Sequence, residues 1–204
     1  NDVHLIFQQL SGLAAPLTLR HLLQSPFTLH KGVLDRIARE TAHARDGRPG
    51  RIVAKMNALN EPQVMLALYE ASQAGVKVDL VVRGACTLRV GIEGISENIR
   101  VRSVVGRFLE HHRIWWFGND GQPELYCSSA DWLERNLLRR VETAFPILDR
   151  ECAQRVHQEG LLNYLLDNQN AWEVQPDGTY AKCSPAEGEA PFSAQLSLLE
   201  DLYA

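Results

Sequence analysis

Two short apolar runs, Arg51 to Met56 and Val76 to Val82, flank a stretch of helical period that Pro62 opens and Gly75 closes. Little in either run is polar: Lys55 in the first, Lys77 and Asp79 in the second. Neither therefore shows the alternation of a strand with one face in water. Pro62 suits a first helical turn, where the N–H it lacks has no helical partner. Strand, helix and strand at this spacing predict a parallel βαβ unit buried on both faces. The class that follows is α/β, with a mixed, largely parallel sheet flanked by helices.

The rest of the chain is read around that unit. Val33, Leu34, Ile37 and Ala38 give an amphipathic helix from Lys31 to about Ala44, stopped by the turn-forming Asp46-Gly47-Arg48-Pro49-Gly50. Beyond the unit, a long loop pivots on Gly84, Gly91 and Gly94, and Ile99 to Val105 is a further strand. Arg113 to Phe117 reads as a buried strand, with Glu124 to Cys127 as its hairpin partner across Gly118-Asn119-Asp120-Gly121. Leu137 to Phe145 is expected to be a strand ended by Pro146, and Asp149 to Leu166 a long helix with Val156, Leu161, Leu162 and Leu165 inward. A hairpin around Pro176-Asp177-Gly178, a loop from Pro185 to Pro191 and a closing helix from Phe192 to Tyr203 complete it. At the other end, Asp2 to Leu13 has a helical period, and Ala14 to His30, with Pro16 and Pro26, reads as a connector. A chain that starts on a helix without an initiator Met reads as part of something longer.

Composition narrows the function classes. The 204 residues, 45% hydrophobic, can bury the core of one domain. A formal charge of −4 gives no overall positive field, so a site for a polyanion has to be built from locally clustered Arg. The four cysteines include no Cys-x-x-Cys pair, which speaks against a zinc or redox motif and for a reducing compartment. There is no apolar run of membrane-spanning length and no basic-then-apolar leader, so a cytoplasmic location is expected.

Polar residues gather where strands end. Arg83-Gly84 closes the second strand of the unit, and in open parallel sheets ligands collect beyond carboxyl ends. Arg107-Phe108-Leu109-Glu110-His111-His112-Arg113 leads into the next buried strand, and alternation sends His111 and Arg113 one way and His112 the other. A guanidinium that forks onto phosphate oxygens beside an imidazole that titrates near neutrality suits phosphoryl chemistry. Ser128-Ser129-Ala130-Asp131 offers hydroxyls and backbone N–H groups to an anion, or simply makes a turn. Arg139-Arg140 lies nearby, with Glu142 expected to pair internally with Arg140. His4, His21, His30, His43 and His157 show no ligand spacing, and no metal site is predicted among them.

The His-x-Arg and Ser-Ser pair resembles the His-x-Lys and Gly-Ser motifs of the phospholipase D fold, with Arg113 where Lys is usual and Ser128 where Gly is usual. The series Ala54-Lys55-Met56-Asn57-Ala58-Leu59, Leu80-Val81-Val82-Arg83-Gly84, Val105-Gly106-Arg107-Phe108-Leu109-Glu110-His111 and Ser128-Ser129-Ala130-Asp131-Trp132 closely resembles bacterial polyphosphate kinase. Arg139-Arg140-Val141-Glu142 and Asp177-Gly178-Thr179-Tyr180 fit the same family in order and spacing. The resemblance covers only that family's C-terminal part. Residues 22–204 match the second of two phospholipase D-like catalytic domains, and residues 1–21 the tail of the first. It implies reversible transfer of the ATP γ-phosphate to polyphosphate through a phosphohistidine in an upstream domain. It also implies Mg2+ ligands outside this stretch, and a homo-oligomer with possible peripheral attachment to the inner membrane. Arg83 and His111 match the family's nucleotide-phosphate contacts, with His111 the candidate proton donor, and Arg140 matches a basic residue of the phosphate channel. Arg113, Ser128 and Ser129 are added from their chemistry. The other readings are a phospholipase D-type phosphodiesterase acting on lipid or nucleic acid, and a non-catalytic polyanion-binding or oligomerisation module; for the kinase reading no nucleic-acid partner is expected.

Overall fold

The computed structural model describes residues 1–13 and 18–202. Pro16 of the expected connector and Tyr203 of the expected closing helix lie outside the described residues. In chain order the elements are α1 (Asp2–Leu10), β1 (Leu23–Gln24), α2 (Leu29–Arg45), β2 (Arg51–Met56), α3 (Pro62–Gln73), β3 (Lys77–Val82), β4 (Ile99–Val104) and β5 (Arg113–Phe117). They continue with β6 (Glu124–Ser128), α4 (Glu134–Leu138), β7 (Thr143–Pro146), α5 (Arg150–His157), a π-helical turn (Gln158–Leu162) and α6 (Asn163–Leu166). The last three are β8 (Ala171–Val174), β9 (Tyr180–Lys182) and α7 (Ala194–Asp201).

The predicted βαβ unit is the middle of a nine-stranded sheet of order β1-β7-β6-β5-β2-β3-β4-β8-β9. The sheet is mixed as expected, but it is not largely parallel. Parallel pairing is confined to β2 with β3 and β3 with β4. Every other neighbouring pair is antiparallel. The reason is connection length: β2 and β3 are joined through a helix, whereas β5–β6 and β8–β9 turn back through loops too short for anything but an antiparallel neighbour.

Alternation along the central strands sorts two cores. Ile52, Ala54 and Met56 of β2 and Val78, Leu80 and Val82 of β3 face α2 and α3, meeting Val33, Ile37, Val64 and Leu68. Val53 faces the other way, with Ile114, Leu125 and Leu161, and Val81 meets Val104, Tyr164 and Ala194. Helices therefore cover both faces, as an all-apolar strand demands. α3 begins as Pro62 foretells, with the Glu61 side chain accepting from the Val64 N–H at 2.7 Å.

Two local readings need correction. The span from Leu137 to Phe145 is not one strand: α4 ends at Leu138, and β7 begins only at Thr143. Glu134, Arg135, Leu137 and Leu138 are good helix formers, and fully buried Leu137 anchors that short turn of helix to the core. The second span is helical from Arg150 to Leu166, with Asp149 as its N-cap, but passes through the π-helical turn, where Gly160 lies against β5. A Cβ on Gly160 would collide with Ile114 Cδ1. Among the described residues no helix is long and apolar enough to cross a membrane.

Candidate active site

The strand register brings the polar clusters to one rim. β2 and β3 run in parallel and end at Met56 and Val82, leaving Asn57 and Arg83 side by side. β5 is antiparallel to β2, so it starts at this same end, and Arg113 stands opposite Ser128, the last residue of β6. β7 is antiparallel to β6 and begins here with Thr143. The 129–132 turn is fixed at the rim by its ends. Trp132 is fully buried, 5.7 Å in centroid distance from Trp115, and its carbonyl accepts from the Asn60 and Glu61 N–H groups at 3.0 and 3.1 Å.

These elements enclose a cavity of about 400 Å³ lined by Arg83, His111, Arg113, Ser129 and Arg140. Asn57, Asp131, Arg135, Asn136 and Glu142 also line it. All the predicted site residues except Ser128 therefore meet in one hollow. The Ser128 hydroxyl donates to the Thr143 carbonyl and accepts from the Ala130 N–H, each at 3.0 Å, so it serves the turn.

Within the cavity the charges are unequally committed. Arg113 forks onto Asp131, Nε to Oδ1 and Nη2 to Oδ2, both at 3.1 Å. Asp131 Oδ1 also accepts from the Asn57 backbone N–H at 2.7 Å and its side-chain amide at 3.1 Å. Burial alone would raise the Asp131 carboxyl, but the donors from Arg113 and Asn57 hold it below its ordinary value. The remaining nitrogen of Arg113, Nη1, meets His111 Nδ1 at 3.1 Å and the His111 carbonyl at 3.0 Å. A guanidinium can only donate, so Nδ1 is the acceptor and the ring proton sits on Nε2.

Glu142 does not pair with Arg140. It accepts from Asn136 Nδ2 at 2.6 Å and from the Ser129 hydroxyl. The expected pairing rested on a strand, and residues 139–142 form no strand. Arg83 donates to the Glu110 carbonyl. Among the described residues, Arg83, Arg135 and Arg140 have no carboxylate within ion-pair distance. Four guanidiniums thus face two carboxylates, both already hydrogen-bonded, and the hollow is a ready receptor for anionic oxygens.

Arg135, Asn57 and the role of Asp131 as the clasp of Arg113 were missed in the sequence. Arg135 falls on α4, and a helical reading of 134–138 would have placed it with Arg140. Asn57 follows a strand end, where the same rule that singles out Arg83 applies. No group of three or more His, Cys, Asp or Glu residues among the described residues could hold a metal ion.

An α/β domain with a guanidinium-rich hollow at the carboxyl ends of its parallel strands has the form of a receptor for anionic oxygens. Its relatives make that specific. The family model "Polyphosphate kinase C-terminal domain 2" matches residues 22–195, and the chain belongs to that family. It is 67% identical to the polyphosphate kinase of Xylella fastidiosa over 201 residues, covering 98% of this chain and 29% of the relative. It is 57% identical to that of Neisseria meningitidis serogroup B over 197 residues, covering 97% of this chain and again 29% of the relative. The crystal structure of polyphosphate kinase from Porphyromonas gingivalis superposes with a TM-score of 0.94 at 36% identity, over 99% of this chain and 31% of that one. The chain therefore spans under a third of the length of the relatives it matches.

Proposed function

We propose that this chain supplies one wall of the phosphoryl-transfer site of a polyphosphate kinase, working with a phosphohistidine carried by an upstream domain. The reaction is reversible transfer of the ATP γ-phosphate to that histidine and on to the end of a polyphosphate chain. The observation that carries the reading is the meeting of Arg83, His111, Arg135 and Arg140 around one hollow whose carboxylates are already engaged. Phosphoryl transfer needs positioning and charge neutralisation more than covalent help, and guanidiniums without carboxylate partners provide both. Arg113 is spent on Asp131 and acts through His111, whose Nε2–H it leaves free to donate to the oxygen of the leaving phosphate. Full proton donation requires Nδ1 to be protonated in turn, hence release from Arg113. Magnesium suits this reaction, but the hollow's donor set does not suit magnesium, and no step here runs through the ion. The partners are ATP or ADP, inorganic polyphosphate and the upstream domains of the intact chain, with residues 1–21 as the tail of the preceding domain. A cytoplasmic homo-oligomer is the matching assembly.

Complementation tests the reading. Mixing this chain with the missing upstream portion should give ATP-dependent polyphosphate synthesis, and His111→Ala should reduce it about 100-fold or more, the scale of a lost acid or charge-stabilising donor. Wild-type rates from the His111→Ala protein would refute it.

A further inference from the structure

Behind the cavity, on the face of the sheet turned away from α2 and α3, lies an ion pair that the chemistry just described does not use. Lys55 Nζ of β2 is 2.8 Å from Glu110 Oε2, and the two residues are 2% and 6% exposed. The other Glu110 oxygen accepts from the Tyr164 hydroxyl at 3.0 Å and from Gln195 Nε2 at 2.5 Å. Lys55 also lies over the Tyr164 ring, 4.3 Å from its centroid. Gln195, on α7, clasps the backbone of Phe108, accepting from its N–H at 2.9 Å and donating to its carbonyl at 2.8 Å.

Such a pair is poor value as a stabiliser, since removing two charges from water offsets most of what their attraction returns. Its geometry points elsewhere. Residues 105–112 have no helix or strand to hold them. Fixing each such backbone costs about 1–2 kcal/mol. The network seizes this segment at Phe108 and Glu110, immediately before His111. The Glu110 carbonyl in turn receives the Arg83 guanidinium. The Glu110 side chain is thus tied down one residue before His111, while its backbone carbonyl receives Arg83. Arg135 and Arg140, on and just after α4, are not in the network.

We propose that Lys55, Glu110 and Gln195 are positioning residues of the phosphoryl-transfer site, locking His111 and Arg83 in register with each other. The proposal rests on the reading that those two residues serve the reaction. The locking makes α7, remote in sequence, a latch on the site.

The test uses the full-length polyphosphate kinase to which this chain corresponds. Lys55→Met/Glu110→Met replaces the pair with apolar groups of similar bulk, a change buried ion pairs tolerate in stability. The expected result is kcat lowered about 10- to 100-fold, the scale of a sub-ångström to 1 Å misplacement, with KM for polyphosphate within about 2-fold because Arg135 and Arg140 are untouched. Lys55→Met/Glu110→Gln, which keeps an acceptor for Tyr164 and Gln195, should recover part of the lost kcat. Wild-type kcat in the double Met protein would overturn the proposal, as would a loss that tracks thermal stability alone. Should that protein not fold, Gln195→Met gives the same readout: a fall in kcat supports the latch and an unchanged kcat removes it. His111→Ala in the same enzyme separates the two readings: normal turnover there removes the role of His111 on which the latch rests, whereas lost turnover there beside wild-type kcat in the double Met protein removes the latch alone.

Discussion

Arg113 and His112 sit next to each other and do opposite work. Alternation into β5 correctly separates their faces: Arg113 opens onto the cavity, and His112 turns toward Tyr164, 5.4 Å between ring centroids. What alternation cannot say is that Arg113 is answered by a carboxylate eighteen positions on, because Asp131 is delivered by the buried Trp132 rather than by any local pattern. His112 carries a pH prediction. Burial and the nearby Lys55 charge depress its imidazole from 6.5 to about 4, against the raising influence of Glu110. Between those values the unfolded chain binds a proton that the folded chain refuses, so stability falls as pH drops from 6.5 toward 4. With 37% of the side chain exposed, the effect is smaller than full burial would give. His157, stacked on Trp116 and also lowered by burial, adds in the same sense. Urea midpoints for the wild type should fall between pH 7 and pH 5 more steeply than those of His112→Leu; parallel curves would assign the loss to other groups.

At the scale of elements, legibility followed burial. β2, α3 and β3 stand where the apolar runs and Pro62 place them, because strands buried on both faces leave little room for another reading. β7 was blurred, since of its four residues only Ala144 is buried and Phe145 is 44% exposed. Arg135 is lost in the same blur, because it stands on the short helix that precedes β7. The helix from Asp149 was legible in extent but not in its π-helical turn. That turn sits where Gly160 lets the helix close onto β5, and its widened ring turns the Gly160 carbonyl toward His112 Nε2 at 3.3 Å. Gly160→Ala should force the end of the Ile114 side chain aside and cost about 1 kcal/mol, the low end for overpacking, because both residues border a cavity. Chemical denaturation measures it, and an unchanged midpoint would mean the Ile114 side chain swings away freely.

Over the whole molecule the charge is negative, formally −4, yet the rim hollow gathers four guanidiniums. The net charge gives a polyanion no overall attraction, so any pull toward the hollow depends on the short-range field of its guanidiniums. Two consequences separate a built phosphate site from diffuse adhesion. Raising salt from about 0.1 M to 1 M shrinks the screening length from about 10 Å to about 3 Å, which cuts the pull of the outer Arg135 and Arg140 while leaving a phosphate seated against Arg83 less affected. Binding of long-chain polyphosphate, followed by calorimetry over that salt range, should weaken about 10-fold or more, since each exposed charge contact contributes only up to about 1 kcal/mol before screening. Arg135→Ala/Arg140→Ala should lower both the affinity at low salt and the steepness of its salt dependence. A double variant that loses affinity but keeps the wild-type slope would mean that the charges felt by the polymer lie elsewhere on the surface, and that the hollow at the strand ends is not where this chain takes hold of it.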